Sequence, residues 1–273
     1  MSRAAHRAGD PPPAPPPLAI PALDSHCHLD LMDAEVADTM AAAHAVGIDR
    51  VVQVGVDVET SRASAVLAAS RADVWAAVAV HPNEAHAATD ADWEAIAELA
   101  AQPRVVAVGE TGLDHFRTDE TGWPAQEESF RRHIAIAKQS GKAVMIHDRD
   151  AHEDVLRVLA GEGPPEQVIF HCFSGDAAFA RKCVEAGYVL SFAGNLTFKN
   201  AQPLRDAVAV TPMDQFLVET DAPFLTPMPY RGQPNSPYLV PLTVRAIADL
   251  KGVSEDVVAA AVTATAARVF GWA

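Results

Sequence analysis

The sequence predicts an α/β protein that folds as one domain, a (β/α)8 barrel of the TIM-barrel type. From residue 21 onward, short apolar runs rich in β-branched residues alternate with alanine-rich segments of helical period, and the chain has eight such repeats. Nearly continuous apolar strands alternating with helices indicate a parallel sheet covered on both faces, and eight units indicate a closed barrel. The predicted strands start 21 to 38 residues apart, which leaves no room for a second domain. The alternative is an open doubly wound sheet. Such a sheet is expected to have a glycine-rich phosphate loop after an early strand, and the sequence has none.

The predicted elements follow in order along the chain. The strands are expected at Ala22 to His26, Val51 to Val56, Trp75 to Val80, Val105 to Gly109, Ala143 to Ile146, Gln167 to Phe170, Tyr188 to Phe192 and Phe216 to Glu219. The helices are expected near Ala34 to Val46, Thr60 to Ser70, Ala91 to Ala101, Gln126 to Ser140, Glu153 to Leu159, Ala177 to Ala186, Gln202 to Val210, Pro241 to Lys251 and Glu255 to Val269. Glycines at 47, 141, 187 and 252 close four of the helical segments, as C-terminal caps do.

The remaining sequence limits the classes of function. Residues 1–20 contain a proline cluster from Pro11 to Pro17 and no continuous apolar core, which predicts a disordered or polyproline tail rather than a secretory signal; the barrel is expected over residues 21–273. Three cysteines fit no disulfide framework, and no apolar run approaches the ~18 residues of a membrane span, so the cytoplasm is the predicted location. The formal charge of −15 argues against broad electrostatic capture of nucleic acid. Bound cations and a few arginines could still reverse the sign of the charge locally.

Two histidines follow the first predicted strand in the stretch D-S-H-C-H-L-D, residues 24–30. His26 and His28 are two positions apart, and residues i and i+2 of a strand point to the same face. Two imidazoles directed at one point form half of a metal site. Taken alone, the motif fits an inert pair of histidines in a turn about equally well.

Other metal-binding side chains stand just after four more predicted strands. In a (β/α)8 barrel, functional side chains come from the carboxyl ends of the strands. Together with the first pair, six candidate ligands fall on five strand ends: His26, His28, Glu110, His147, His171 and Asp221. Four imidazoles and two carboxylates exceed the needs of one four-coordinate ion, so two ions that share a carboxylate are the natural solution.

This set, in this strand order, resembles the amidohydrolase superfamily and, within it, the TatD family of metal-dependent deoxyribonucleases. The words that carry the resemblance are D-S-H-C-H-L-D, G-V-D at 55 to 57, V-H-P at 80 to 82, V-G-E-T-G-L-D at 108 to 114, H-D-R at 147 to 149, H-C-F-S-G at 171 to 175, E-T-D-A-P at 219 to 223 and P-Y-R-G at 229 to 232. They cover about residues 22 to 272, which is the chain apart from its tail.

The resemblance implies a role for each candidate ligand. It implies that His26, His28 and Asp221 hold one ion, that His147 and His171 hold the other, and that Glu110 bridges the two. The expected cofactors are two divalent ions, and their identity is open among Zn, Mn, Ni, Fe and Mg. Family activity is often described with magnesium, whereas four imidazoles favour a transition metal.

Four further residues are candidates for substrate binding or for orienting the ligands. The family comparison favours a role near the substrate for His81; the alternative is a capped loop histidine packed on Pro82. The guanidinium of Arg149 could neutralise a phosphate, or it could form a surface salt bridge with a neighbouring aspartate. Asp114 and Glu219 are expected to orient ligand imidazoles, and an ordinary loop cap is equally open for Asp114.

The resemblance implies hydrolysis of phosphodiester bonds in DNA by a metal-activated water, as a 3′-5′ exonuclease in which Asp221 and Glu110 are the catalytic carboxylates. One alternative keeps the site and changes the bond, as in a D-aminoacyl-tRNA deacylase or another ester or amide hydrolase. A non-catalytic nucleic-acid-binding barrel is a further alternative, but it should lack a ligand and none is missing. We expect DNA as the substrate partner, no membrane association and a monomer.

Overall fold

A computed structural model describes residues 9–272 of the 273-residue chain. Its strands are β1 (Ala22–Cys27), β2 (Ile48–Val54), β3 (Val74–Val78), β4 (Val105–Asp114), β5 (Ala143–Arg149), β6 (Val168–Phe170), β7 (Val189–Phe192) and β8 (Phe216–Val218). Its α-helices are α1 (Val36–Ala45), α2 (Val58–Ser70), α3 (Asp90–Ala100), α4 (Trp123–Ser140), α5 (His152–Glu162), α6 (Ala177–Glu185), α7 (Gln202–Val210), α8 (Val240–Lys251) and α9 (Glu255–Phe270).

The eight strands form one sheet in the order β1 to β8, and the predicted (β/α)8 barrel is confirmed. The pairs β3–β4, β4–β5, β5–β6 and β7–β8 are all parallel. Every residue of β4 is buried, and the strand is ten residues long where the sequence predicted five. Its length matters because it carries the G-E-T-G-L-D motif inside the strand instead of on a following loop.

The described chain separates into two compact units. One unit comprises residues 53–174 and 269–271, and the other comprises residues 9–52, 175–268 and 272. The first contains β3 to β6 with their helices, and its core is formed by the apolar side chains of these strands together with α4 residues such as Phe130 and Ile134. The second contains β1, β7 and β8, and there the hydroxyl of Ser25 donates to the carbonyl of Val218 at 2.9 Å and so joins β1 to β8. The prediction of one domain over residues 21–273 stays a prediction.

The described part of the N-terminal tail is packed. Its buried residues are Pro12, Pro15 and Leu18, at every third position, which is the period of a polyproline II helix. The hydroxyl of Tyr238 donates to the carbonyl of Pro12 at 2.7 Å, and the amide of Leu18 donates to Val46 at 3.0 Å. Residues 9–20 therefore contact other residues of the same unit, and the prediction of a disordered or polyproline tail stays a prediction. Residues 1–8 of the predicted tail lie outside the described residues.

Helix ends and lengths agree with the sequence pattern. The glycines predicted at 47, 141, 187 and 252 all have positive φ, and the glycines at 141 and 252 directly cap α4 and α8. Within residues 9–272, no helix is both long enough and apolar enough to cross a bilayer.

A buried histidine of α4 ties the ends of β3 and β4 to the helix layer. The amide of Val80, just after β3, donates to Nε2 of His133 at 3.0 Å. Its Nδ1 atom lies 2.8 Å from the carbonyl of Ser129 and 2.9 Å from the hydroxyl of Thr111 in β4. Since Nε2 accepts a backbone hydrogen, the neutral ring carries its proton on Nδ1. Burial lowers the pKa of His133 to about 4.

This depressed pKa predicts an acid-sensitive contribution to stability. The unfolded chain takes up a proton at His133 as the pH falls below about 6.5, whereas the folded chain does so only near pH 4. Stability is therefore full above pH 6.5 and is lost as the pH falls toward 4, by about 2 kcal/mol between pH 7 and pH 5. Urea unfolding followed by circular dichroism should show that His133→Gln loses about 2 kcal/mol less than wild type over this interval. The exposed-site control His86→Gln should behave as wild type; an equal loss in His133→Gln would contradict the assignment.

Candidate metal centre

The first candidate cluster lies in the unit that contains β1 and β8 and consists of His26, His28 and Asp221; we call it the β1–β8 cluster. The amide of Asp221 donates to the carbonyl of His26 at 2.9 Å, and the amide of His28 donates to Ala222 at 2.8 Å. These two backbone bonds hold the end of β1 against the segment that follows β8. Asp221 has φ +52°, a left-handed conformation that aspartate adopts more readily than most residues.

A buried carboxylate, that of Asp24, also holds the end of β1 against the segment that follows β8. Asp24 accepts hydrogen bonds from the amide of Thr220 at 2.9 Å, from the hydroxyl of Thr220, and from the amide of His26 at 3.2 Å. Burial raises the pKa of Asp24 to about 7, although these hydrogen bonds favour the charged form. The side chain that opens the D-S-H-C-H-L-D motif thus positions the histidines and is not itself one of the donors in the cluster.

The donor atoms of the β1–β8 cluster are spaced as ligands of one ion. The Nε2 atoms of His26 and His28 lie 3.3 Å apart. Oδ1 of Asp221 lies 3.8 Å from the first and 3.7 Å from the second. Two donors about 2.0–2.1 Å from a tetrahedral zinc ion are roughly 3.3–3.4 Å apart, so small side-chain movements would bring all three onto one ion.

The second candidate cluster lies in the other unit and is centred on Glu110 of β4; we call it the β4–β5 cluster. Three imidazole nitrogens surround one carboxylate oxygen, Oε1 of Glu110. The distances to this oxygen are 2.6 Å from Nδ1 of His147, 3.0 Å from Nε2 of His171 and 3.4 Å from Nε2 of His81. His81, Glu110 and His147 together offer one group of donors that could hold a metal ion.

Charge and burial oppose each other in the β4–β5 cluster. Burial alone would raise the pKa of Glu110, but the neighbouring imidazoles, foremost His171, outweigh it and hold the pKa well below its usual range. Burial alone would lower the pKa of His147, but hydrogen bonds to Asp114 and Glu110 raise it to about 9. The cluster therefore keeps a negative carboxylate in a site where Glu110 is only 3% exposed.

The tautomer of His81 suits a hydrogen-bond donor better than a metal ligand. Its Nδ1 atom accepts a hydrogen bond from the amide of Asn83 at 3.1 Å, so the neutral ring carries its proton on Nε2. This Nε2 atom is buried and makes no hydrogen bond among the described residues, although Oε1 of Glu110 is 3.4 Å away. Burial lowers the pKa of His81, which favours the neutral ring. His81 thus presents an N–H group beside the carboxylate of Glu110.

Asp114 combines both roles that the sequence left open. Its Oδ2 atom lies 3.2 Å from Nε2 of His147, so it orients a candidate ligand. Its Oδ1 atom accepts from the amides of Phe116 at 3.1 Å and Arg117 at 2.8 Å, which caps the turn after β4. Between the two acidic residues, Gly112 is required by space, because a Cβ atom there would lie 2.2 Å from the carbonyl oxygen of His147.

The remaining predicted residues have different outcomes. Glu219 is fully buried just after β8. Of the two alternatives left open for Arg149, the surface salt bridge is not formed among the described residues: the guanidinium stacks on Phe116, with the carbon atom Cζ 3.9 Å from the ring centre. Asp148 is bonded to His152 at 2.7 Å instead. Sequence reasoning missed Phe116, because its importance depends on a contact across 33 residues.

In the β4–β5 cluster His81, Glu110 and His147 form a group able to hold a metal ion. The β1–β8 cluster offers the same kinds of ligand atom, two imidazole nitrogens and a carboxylate oxygen within 3.8 Å of one another. Imidazole-rich sites favour zinc, manganese, nickel or iron over magnesium, which prefers oxygen ligands. The geometry and the chemistry of the donors thus fit metal ions in each unit.

Comparison with known proteins finds relatives that are described as metal-dependent hydrolases. Residues 23–271 match the family model described as TatD related DNase. The chain is 48% identical over 257 residues to a protein of Mycobacterium tuberculosis described as an uncharacterized metal-dependent hydrolase, covering 91% of this chain and 97% of that relative. It is 39% identical to the Bacillus subtilis metal-dependent hydrolase YabD, covering 90% and 98% of the two chains. The crystal structure of YJJV, a TatD homologue of Escherichia coli, superposes with a TM-score of 0.86 at 27% identity and covers 92% of this chain and 98% of that one.

We predict that each cluster contributes separately to metal content. Elemental analysis of gently purified wild-type protein should find a transition metal. His28→Ala and His171→Ala should each weaken metal binding by about tenfold or more, because the loss of a ligand lowers metal affinity at least as much as the loss of a group that orients a ligand. The exposed-histidine variant His86→Ala serves as the control and should keep the wild-type metal content. Wild-type protein without any transition metal, or both ligand variants with full content, would be incompatible with the assignment.

Proposed function

Because the chain belongs to the TatD family of metal-dependent hydrolases, we propose that it hydrolyses phosphodiester bonds of DNA. The observation that carries this proposal is the pairing of several imidazole nitrogens with a carboxylate oxygen in each of the two clusters. Support for the nuclease activity in particular comes from the description of the matching family model, TatD related DNase.

We propose, from the family resemblance, that the chain uses two divalent ions. The carboxyl ends of the strands of a (β/α)8 barrel carry its active site, and both clusters stand at or just past such ends. In this proposal His26, His28 and Asp221 hold one ion. His147 and His171 hold the other, and Glu110 is shared. Bound ions of this kind acidify a water molecule and offset charge on phosphoryl oxygens.

The protein side chains then divide the remaining work. The Asp221 carboxylate, whose side chain is 16% exposed, accepts the proton that the attacking water gives up. The Nε2–H group of His81 lies 3.4 Å from Oε1 of Glu110 and makes no hydrogen bond among the described residues, and it donates a hydrogen bond to a phosphoryl oxygen of the substrate. Asp114 keeps the His147 ring in place from its second nitrogen.

We further propose that the enzyme works from a strand end with 3′-5′ polarity, as a monomer and in the cytoplasm. The three cysteines of the sequence, Cys27, Cys172 and Cys183, are too few for a disulfide framework, which supports a reducing compartment. With a formal charge of −15 the protein has few cations to exchange with DNA counterions, so its affinity should depend on divalent ions.

Loss of a ligand should abolish turnover while the fold is kept. We expect His171→Ala to hydrolyse single-stranded DNA at least ~100-fold more slowly than wild type, because one of the two imidazoles proposed to hold an ion is gone. The assay uses 3′- and 5′-blocked oligonucleotides with the metal varied, run beside D-aminoacyl-tRNA and simple esters. Circular dichroism confirms folding, and His86→Ala is the matched control. The proposal fails if folded His171→Ala cleaves DNA as fast as wild type, or if wild type turns over only the tRNA or the esters.

Asp221→Asn tests the proton acceptor. An amide has nearly the same size as the carboxylate but does not accept a proton at neutral pH, so kcat should fall by roughly 10²- to 10⁴-fold. Metal content is measured in the same sample. A variant that retains its metal and loses turnover supports proton transfer; a variant that keeps wild-type kcat excludes Asp221 as the base.

A further inference from the structure

An aromatic side chain stands exposed beside the β4–β5 cluster. Five large apolar residues of the described chain are exposed, and Phe116 is the one aromatic residue among them, with 63% of its surface accessible. Burying a phenyl ring is strongly favourable in water, so an exposed ring next to a candidate active site needs an explanation. The other four exposed residues are scattered aliphatic side chains, which are ordinary on protein surfaces.

The guanidinium of Arg149 covers Phe116 on one side. Its Cζ atom lies 3.9 Å from the ring centre, which is cation–π distance. Asp148 and Asp150 flank Arg149 in sequence, yet among residues 9–272 the guanidinium makes no ion pair and no side-chain hydrogen bond. Its N–H donors are therefore available to a phosphate, which their planar arrangement matches.

Backbone and side-chain hydrogen bonds fix this pair to the candidate metal centre. The amide of Phe116 donates to Oδ1 of Asp114 at 3.1 Å, and the other oxygen of the same carboxylate is 3.2 Å from His147. The amide of His115 donates to the carbonyl of Arg149 at 2.9 Å. His147 and Arg149 point to the same side of β5, about 6.6 Å apart along the strand. The stack of Phe116 and Arg149 thus lies two residues beyond the candidate ligand His147 along β5.

The turn that carries Phe116 is braced from behind. The ring of His115 stacks on Trp123 with centroids 3.8 Å apart and an interplanar angle of 18°. The indole N–H of Trp123 donates to the carbonyl of Thr118 at 3.0 Å, and the side-chain amide Nε2 of Gln126 donates to the hydroxyl of Thr118 at 2.9 Å. A braced turn holds an aromatic ring at a defined position without burying it.

We propose that Phe116 and Arg149 form a nucleotide subsite of the nuclease, in which an unpaired base stacks on the phenyl ring and the adjoining phosphate binds the guanidinium. This inference rests on the proposed phosphodiesterase function and assigns to it two residues, Phe116 and Arg149, that position the nucleotide beside the candidate metal centre. A base inside a duplex has both faces covered by its neighbours, so it is unable to stack on Phe116. Stacking is tolerant of base identity, because every base has a π-face. The subsite therefore selects for strandedness and not for sequence.

Removal of the ring tests the stacking contact. Phe116→Ala should weaken binding of a single-stranded oligonucleotide by about tenfold, and Phe116→Trp should restore it, since base–aromatic stacking is worth this much per base. Binding is measured by fluorescence anisotropy of labelled oligonucleotides with Mn²⁺ present. Val66→Ala removes an equally exposed apolar side chain from α2 and should bind as wild type.

An abasic oligonucleotide separates stacking from a structural role. When the bases near the cleavable end are removed, Phe116→Ala should add less than about a twofold loss, because the stacking partner is already absent. Equal losses on normal and abasic strands, or failure of Phe116→Trp to restore binding, would overturn the subsite. Arg149→Ala should make the plot of log affinity against log salt less steep, by the amount that corresponds to about one phosphate contact. An unchanged slope would remove Arg149 from the subsite.

Binding and turnover keep the two proposals apart. If wild-type protein binds single strands through Phe116 but hydrolyses no phosphodiester in any metal, the subsite stands and the proposed function fails. If wild-type protein cleaves DNA and Phe116→Ala binds and cleaves single strands as wild type does, the proposed function stands and the subsite fails.

Discussion

The buried carboxylate of Glu110 is the constraint around which the first unit is arranged. A carboxylate that is 3% exposed costs several kcal/mol unless charges or hydrogen-bond donors surround it. Hydrogen bonds with His147 and His171 meet that need at a single oxygen, and Nε2 of His81 lies 3.4 Å from the same oxygen. Strand β4 runs through ten buried residues to Asp114, so the same strand places a second carboxylate against the far nitrogen of His147. The result is a rigid set of ligand atoms in which a bound cation, instead of the imidazoles, can balance the charge of the carboxylate.

The second unit applies the same physics to Asp24. This carboxylate is fully buried, and the hydrogen bonds that it accepts come from the backbone of its own strand and from Thr220, 196 positions later in the chain. It holds the end of β1 against the segment after β8, next to the point where His26 and Asp221 lie close together. In each unit, then, one buried acid does structural work so that neighbouring imidazoles keep their spacing.

Most of the fold was predictable, and the reason is periodicity. Apolar runs of strand length alternate with helical segments, and each run became a buried strand within a few residues of its predicted bounds. The ligand candidates were predictable because strand ends are local features. Roles that depend on distant partners were not. The sequence offers no sign that Asp24 meets Thr220, that His133 accepts a hydrogen bond from Val80, or that Arg149 stacks on a ring 33 positions earlier. The underestimated length of β4 has the same origin, since glycine and acidic residues are poor strand formers and only the neighbouring strand stabilises them there.

A net charge of −15 is compatible with a polyanionic substrate if recognition is local. At physiological salt, charges farther than about 8 Å from a phosphate are largely screened, so the groups at the site outweigh the overall sum. Arg149 stacks on Phe116, and in the other unit Arg231 stacks on Phe198 with its Cζ 4.2 Å from the ring centre. Neither guanidinium is neutralised by a carboxylate within the described chain. Each stack combines a cation with an aromatic face, and in the subsite proposed for Phe116 and Arg149 the stacking part of the attraction for a nucleotide would be insensitive to salt. An acidic protein that relies on such contacts avoids indiscriminate capture of duplex DNA, because the long-range attraction is weak and the short-range attraction requires an unpaired base.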